Sequence, residues 1–444
     1  MQRLKQEYRL LTRKCFDWSF LPVIGWNLAF AFYIWYVFAR YVVRFKGASP
    51  LLRAHYMLLR AGRYNANTSI LQRVIEAAIK QQFSRANTAN FNPPPAVTIS
   101  DQALADFKRW GGLVLKAPRF AGHRVVEKGV LALRFNRGFC VFRNCVDVTA
   151  VLQSYVLVLE PGWSGYANED ILYFTHFPDF PVIVMATEKR DYEFLKNLDS
   201  NLIPVSFGAS DWVNPSVFYP LGTEKKKYDA VMVAKWKIFK RHHILLRALH
   251  ETQCASLKVA LVGIQLPQHR NEVEFLINSY GVGDKVTVFG LLPQPEVNRV
   301  LNQSRVNLIL SLQEGSNKAL FEGFFAGTPG LALQNNIGIQ KDYFTPQTGR
   351  LIKETELGAA LLYFREHWTD FDPRSWAEAN IAPEITTAKL NQLLKTLSRM
   401  RNEEWRRNLA VKCNTPWSKY YPDEQAGFGL PLFEEILVQY ARST

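Results

Sequence analysis

From residue 230 to 333, short apolar runs alternate with amphipathic stretches in a rhythm that few folds can accept. The apolar runs are 230–233, 258–262, 285–289, 306–310 and 330–333; helical patterns fill 241–251, 272–280, 296–303 and 318–326 between them. A strand that is apolar at every position is buried on both faces, and parallel neighbours must be joined by a crossover helix. The spacing therefore predicts consecutive βαβ units on a parallel sheet. Upstream, runs at 113–116, 129–135, 155–160, 181–186 and 202–207, with a helix over 189–198, repeat the pattern less cleanly. Two such halves predict an α/β protein in which two Rossmann-like domains face a cleft, with ligands at the carboxyl ends of the strands.

A chain of 444 residues exceeds one ordinary core. Residues 1–85 carry apolar and basic residues at helical spacing, and the run from Asn87 to Pro95 cannot continue a helix, so it predicts a Pro-rich linker. The basic stretch Lys225, Lys226, Lys227 marks the next boundary. The expected domains are an N-terminal helical region at 1–95, a first Rossmann-like domain at 96–222, a second Rossmann-like domain at 223–410, and a tail with a helix at 411–444.

The formal charge of +15 favours polyanionic partners: nucleic acid, anionic lipid or phosphate-bearing substrates. No RNA-recognition signature, zinc-finger spacing or basic heptad is present, and the basic residues are scattered, so nucleic acid is not an expected partner. Five cysteines without CxxC spacing predict neither a disulfide framework nor a structural metal, and they fit a reducing cytoplasm. Residues 20–39 contain no charge, which meets the length rule for a membrane span. Basic residues flank both ends, so the charge bias sets no orientation. Pro22, Gly25 and Asn27 interrupt the first half, while Trp26, Tyr33, Trp35 and Tyr36 suit a membrane interface. The segment can span, lie on the membrane, or pack on the protein itself. The expectation is a tether to the inner face of the cytoplasmic membrane that carries no chemistry, so that removing 1–85 leaves ligand binding by the residues beyond 225 intact.

Two motifs carry chemistry. In the first, Glu314, Gly315, Ser316, Asn317 and Lys318 lie between a strand and a helix that bears Glu322, followed by Ala326, Gly327, Thr328 and Pro329. Such a turn aims backbone N–H groups and a positive helix end at an anion, and its carboxylates can grip hydroxyls. In the second, Lys235 and Lys240 follow the 230–233 strand, where cations can neutralise a leaving diphosphate. On their own, the first reads equally as a dipole-favoured acidic helix start and the second as a solvated basic loop. In the preceding half, Glu160 ends a buried strand, where a carboxylate needs a reason to be.

Together and in this order, the two motifs resemble the C-terminal domain of retaining glycosyltransferases of the GT-B fold, the group 1 or family 4 type. The family shows Arg or Lys, a Lys five residues on, then Glu-x7-Glu and Ala-x-Gly-x-Pro. Here Lys235 stands where Arg is usual, and Ala234 and Arg241 replace glycines. Further likenesses are the stretch from Val213 to Pro220, Val288 to Gly290 with Glu296, and Thr348 to Leu351. The resemblance covers roughly 205–360. It implies that Lys235 and Lys240 hold the donor diphosphate, that Glu314 contacts the transferred sugar and Glu322 the ribose, and that Gly315, Ser316, Asn317 and Lys318 offer amides. The expected catalytic residues are Glu160, Lys240 and Glu314. No metal and no cofactor beyond the nucleotide-sugar donor substrate is implied. The expected activity is sugar transfer with retention to a carbohydrate or lipid-linked, cell-envelope acceptor; the alternative is a non-catalytic GT-B scaffold that binds a polysaccharide or a partner enzyme.

Overall fold

The computed structural model describes residues 2–44, 47–61, 70–86, 96–251, 256–264, 267–415 and 417–442; the expected linker at 87–95 lies outside the described residues. Four helices open the chain: α1 (Gln2–Trp18), α2 (Pro22–Tyr41), α3 (Ser49–Arg60) and α4 (Ile70–Phe83). The helix α5 (Asp101–Trp110) leads into β1 (Gly112–Lys116), the hairpin β2 (Arg119–Ala121) and β3 (Arg124–Glu127), and β4 (Gly129–Arg134). Then follow α6 (Asn136–Cys145), α7 (Val148–Ser154), β5 (Tyr155–Glu160), α8 (Glu169–Leu172), β6 (Val182–Met185), α9 (Lys189–Asn197) and β7 (Leu202–Val205). The next stretch alternates strictly: β8 (Ala230–Val233), α10 (His242–His250), β9 (Val259–Val262), α11 (Pro267–Tyr280), β10 (Val286–Phe289), α12 (Gln294–Asn302), β11 (Asn307–Ile309), α13 (Lys318–Phe325), β12 (Gly330–Leu333) and β13 (Gly349–Ile352). Helices α14 (Leu357–His367), α15 (Pro373–Ile381) and α16 (Pro383–Met400), the hairpin β14 (Lys412–Thr415) and β15 (Trp417–Tyr420), and α17 (Phe433–Gln439) complete it.

The chain forms two compact units, residues 20–212 with 383–444, and residues 1–19 with 213–382. The first unit has a five-stranded sheet in the order β1-β4-β5-β6-β7, parallel except for β1. Its central strands are apolar up to their charged last residues because each face has its own cover. Leu131, Leu133, Leu157 and Leu159 share a core with Leu51, Leu58, Ile75 and Ile79 of α3 and α4. Val130, Ala132, Val156 and Val158, which alternate with them, pack with Leu390 and Leu394 of α16. The second unit has six parallel strands in the order β10-β9-β8-β11-β12-β13. Its core joins Val231, Ala260 and Ile309 to Phe321 and Phe324 of α13 and to Ala377 and Ile381 of α15.

These units divide the chain differently from the sequence expectation. The helix α1 belongs with 213–382 rather than with a separate N-terminal region, and the second unit ends at Ala382 rather than near 410. Burial decides the second difference and ion pairs the first. Leu390 and Leu394 are fully covered only in the core of the first unit, and α1 is held by ion pairs to the second.

Candidate active site

Numbered from β8, the second sheet runs 3-2-1-4-5-6, the doubly wound order whose crevice opens where the winding reverses, between the first and fourth strands. Those strands are β8 and β11, paired in parallel with Asn307 opposite Val231. The loops leaving their carboxyl ends are 234–241 and 310–317, and they carry the two motifs singled out in the sequence. Lys240 Nζ donates to both carboxylate oxygens of Glu314, at 2.6 and 2.8 Å. Ser311 Oγ donates a short hydrogen bond to Glu314, and the Asn336 side chain, itself buried, ties back to the Ser311 carbonyl at 2.7 Å. Gly338 passes directly beneath at φ 110°, and a Cβ there would lie 2.1 Å from the Glu314 carbonyl oxygen, so only glycine allows the approach.

The turn after Glu314 ends at Asn317, which adopts φ 44° and caps α13 by accepting from the Leu320 N–H at 3.2 Å. Gly315, Ser316, Asn317 and Lys318 are half-buried around the helix start. The helix start turns its first-turn amides and the positive end of its dipole toward this loop. Glu322, one turn further, is buried; burial raises its pKa, partly offset by Lys318 at 3.7 Å. Lys235 is exposed and makes no ion pair among the described residues, so the structure brings Lys240 to Glu314 without it.

Behind Lys240, the sequence left one oddity unexplained. Arg241, where the resembled family has glycine, adopts φ 60° and ψ 40° with only 2% of its side chain exposed. The guanidinium donates to Asp17 at 2.7 and 3.1 Å, to Glu354 at 2.6 Å and to the Leu310 carbonyl at 3.2 Å. Asp17, on α1, also meets His243 Nε2 at 3.1 Å. Burial would raise the Asp17 pKa, but hydrogen bonds from His243 and Arg241 outweigh it and lower it. His242, next in the chain, is driven down to about 3 by burial and by Lys240, so it is neutral. Arg13 of α1 adds a pair with Glu272 at 3.1 Å. Asp17, Glu354, Ser311 and Asn336 carry no motif, and the only signal for them was a charged residue where a glycine was expected.

In the first unit, Glu160 is opposite Arg134 in the β4–β5 register. Its carboxylate accepts from Arg134 Nε at 2.8 Å, Lys412 Nζ at 2.7 Å and Asn414 Nδ2 at 3.3 Å, and it is 2% exposed. Burial would raise its pKa, but Lys412 and Arg134 outweigh this and hold it at about 2. The structure places Glu160 at the centre of a buried ion cluster that joins the β14–β15 hairpin to the sheet. Trp163, three residues past Glu160, donates its indole N–H to Tyr56 of α3 at 3.3 Å. Among the described residues no three His, Cys, Asp or Glu side chains gather as metal ligands.

Residues 216–367, the segment that holds Lys240 and Glu314, match the family model for glycosyl transferases group 1. No curated protein sequence matches the chain. Solved structures with a similar fold include a sucrose-phosphate synthase from Thermosynechococcus elongatus, 17% identical over 61% of this chain and 74% of that one, with a TM-score of 0.48. HepE from Anabaena, in complex with UDP and glucose, is 14% identical over 60% of this chain and 77% of that one, with a TM-score of 0.47. The pneumococcal O-GlcNAc transferase GtfA, in complex with UDP and GlcNAc, is 16% identical over 58% of this chain and 55% of that one, with a TM-score of 0.45.

Proposed function

We propose that this protein transfers a sugar from a nucleoside-diphosphate-sugar donor to a carbohydrate or lipid-linked acceptor, with retention of the anomeric configuration. The observation that carries the reading is the contact of Lys240 with Glu314 at the reversal point of a doubly wound sheet, inside the group 1 domain. The donor diphosphate would lie against the start of α13 and share the Lys240 ammonium, with Glu314 accepting from a sugar hydroxyl and Glu322 from the ribose. In transfer, the acceptor oxygen bonds to the anomeric carbon as the bond from that carbon to the diphosphate breaks. The acceptor proton passes to an oxygen of the leaving diphosphate. Lys240 and the helix end stabilise the charge that develops there, which is why the reading includes independence from added metal.

Lys240→Ala and Glu314→Ala should each lower turnover roughly 100- to 1,000-fold, the scale for losing a preorganised charge contact, with the native circular dichroism spectrum retained. A donor can first be chosen by thermal shift, since a nucleotide sugar at 100 times its Kd adds about 2.7 kcal/mol. Transfer should survive EDTA. Wild-type turnover in either variant would sink the assignment, and activity that returns only with Mg²⁺ or Mn²⁺ would remove its metal-free part. Donor binding without turnover on any acceptor would favour the scaffold alternative.

A further inference from the structure

The helix α2 is divided lengthwise. Gly25, Ala29, Tyr36 and Ala39 are buried, and a Cβ on Gly25 would lie 2.5 Å from Ala61 Cβ, so the small residues let α2 sit close against the end of α3. Tyr36 Oη accepts from Gln82 at 2.7 Å, which ties the same side to a polar group of α4. The opposite half of the helix is open. At about 100° per residue, Ile24, Leu28, Trp35, Phe38 and Val42 fall within one narrow arc, with Ile34 and Tyr41 beside it. Exposure along this half is 50% for Ile34, 55% for Trp35, 46% for Phe38 and 65% for Val42. At its C-terminal end a groove of about 350 Å³ runs between α2 and α3, lined by Phe32, Trp35, Ala39, Val43 and Pro50, with Arg53 at its edge.

Charge selects what covers this face. From Trp18 to Ile75 the sequence has no Asp or Glu, and it has seven basic residues, among them Arg40, Arg44 and Arg53, which are exposed. A second copy of the chain would set like charges together, whereas an anionic lipid surface complements them. A span is disfavoured because α2 would carry Gln82 and the buried polar side chains of α3 and α4, such as His55 and Gln72, into the hydrocarbon. We propose that α2, supported by α3, lies in the plane of an anionic phospholipid surface, its open half among the acyl chains and Arg40, Arg44 and Arg53 at the headgroups.

Flotation of the full-length protein tests this with vesicles of phosphatidylcholine alone and with phosphatidylglycerol added. The protein should float with the mixed vesicles and only weakly with the neutral ones. An Ile34→Glu/Phe38→Glu variant should bind about ten-fold or more weakly, and its circular dichroism and melting temperature should match the wild type because both side chains are exposed. Replacing Arg40, Arg44 and Arg53 by Gln should remove the preference for the anionic vesicles and keep the weak binding to neutral ones. A wild-type protein that ignores both vesicles overturns the proposal, as does a dimer that the double variant breaks without any vesicle binding. Retention in the bilayer after alkaline carbonate would also overturn it, in favour of a span.

Discussion

Arg241 holds a left-handed backbone that glycine would adopt freely and an L-residue adopts at a cost of roughly 1–2 kcal/mol. Against this stand four hydrogen bonds, three of them to carboxylate oxygens, from a side chain that is almost wholly buried. Hydrogen bonds to charged groups are worth about 1.5–3 kcal/mol each, so the contacts outweigh the strain. Arg241→Gly should therefore lower stability by about 1–3 kcal/mol in urea unfolding, although it restores the family's residue; a gain would show that strain dominates. Glu160 makes a second single-residue case. Its carboxyl ordinarily titrates at 4.5 and is held at about 2. A carboxyl lowered by folding contributes stability that is fully present above the unfolded value and is lost as pH falls through the folded one. The window is thus about pH 4.5 down to 2. Glu160→Gln should cost about 3–5 kcal/mol at neutral pH, because Arg134 and Lys412 lose their counter-charge. The variant should also lose less stability than the wild type across that window. An unchanged acid limb would show that the cluster does not set it. The sequence marked Glu160 as a carboxylate in need of a partner, but Lys412 lies 252 positions away, with no local pattern to announce it.

At the scale of elements, α1 decides more than its sequence suggests. It reads as a basic amphipathic helix, which fits a tether as well as a packed helix. The structure attaches it to the second unit through Asp17, Arg13 and a cation–π contact of Arg9 with Phe275 at 4.9 Å. Because Arg241 follows Lys240 directly, loss of Asp17 loosens the loop that holds the proposed phosphate ligand. Removing residues 1–19 should weaken donor-nucleotide binding roughly ten-fold, equivalent to about 1.4 kcal/mol, as measured by calorimetry. This replaces the expectation that the whole of 1–85 could be removed without effect on the donor, and an unchanged Kd would restore it. Elements with strong periodicity were legible: 155–160, 230–233 and 330–333 are strands with those bounds. The hairpins β2–β3 and β14–β15 were not, because their residues are mixed and polar. Lys116 pairs with Glu127 at 2.9 Å and Lys412 with Glu160, so ion pairs rather than an apolar face secure both hairpins.

For the whole molecule, the path of the chain matters most. It leaves the first unit at Trp212 and returns to it at Pro383, and Trp212 Nε1 donates to Thr387 at 3.0 Å on the returning helix. A protein that stops at Ala382 would strip Leu390, Leu394 and Leu409 from the core of the first unit and Lys412 from Glu160. Residues 96–212 should then be cut rapidly in limited proteolysis while a fragment near 213–382 survives; an unchanged cooperative melt would contradict this. The sequence by itself determined the α/β class, the two βαβ halves and the place of the Lys240 and Glu314 motifs at strand ends, because periodicity and turn chemistry are local. Only the tertiary structure decided that α1 joins the second unit, that α16 and the β14–β15 hairpin belong to the first unit, and that Glu160 is a buried counter-ion. Each of those outcomes rests on burial or on a charge partner brought from a distant part of the chain, and neither leaves a mark in the local pattern.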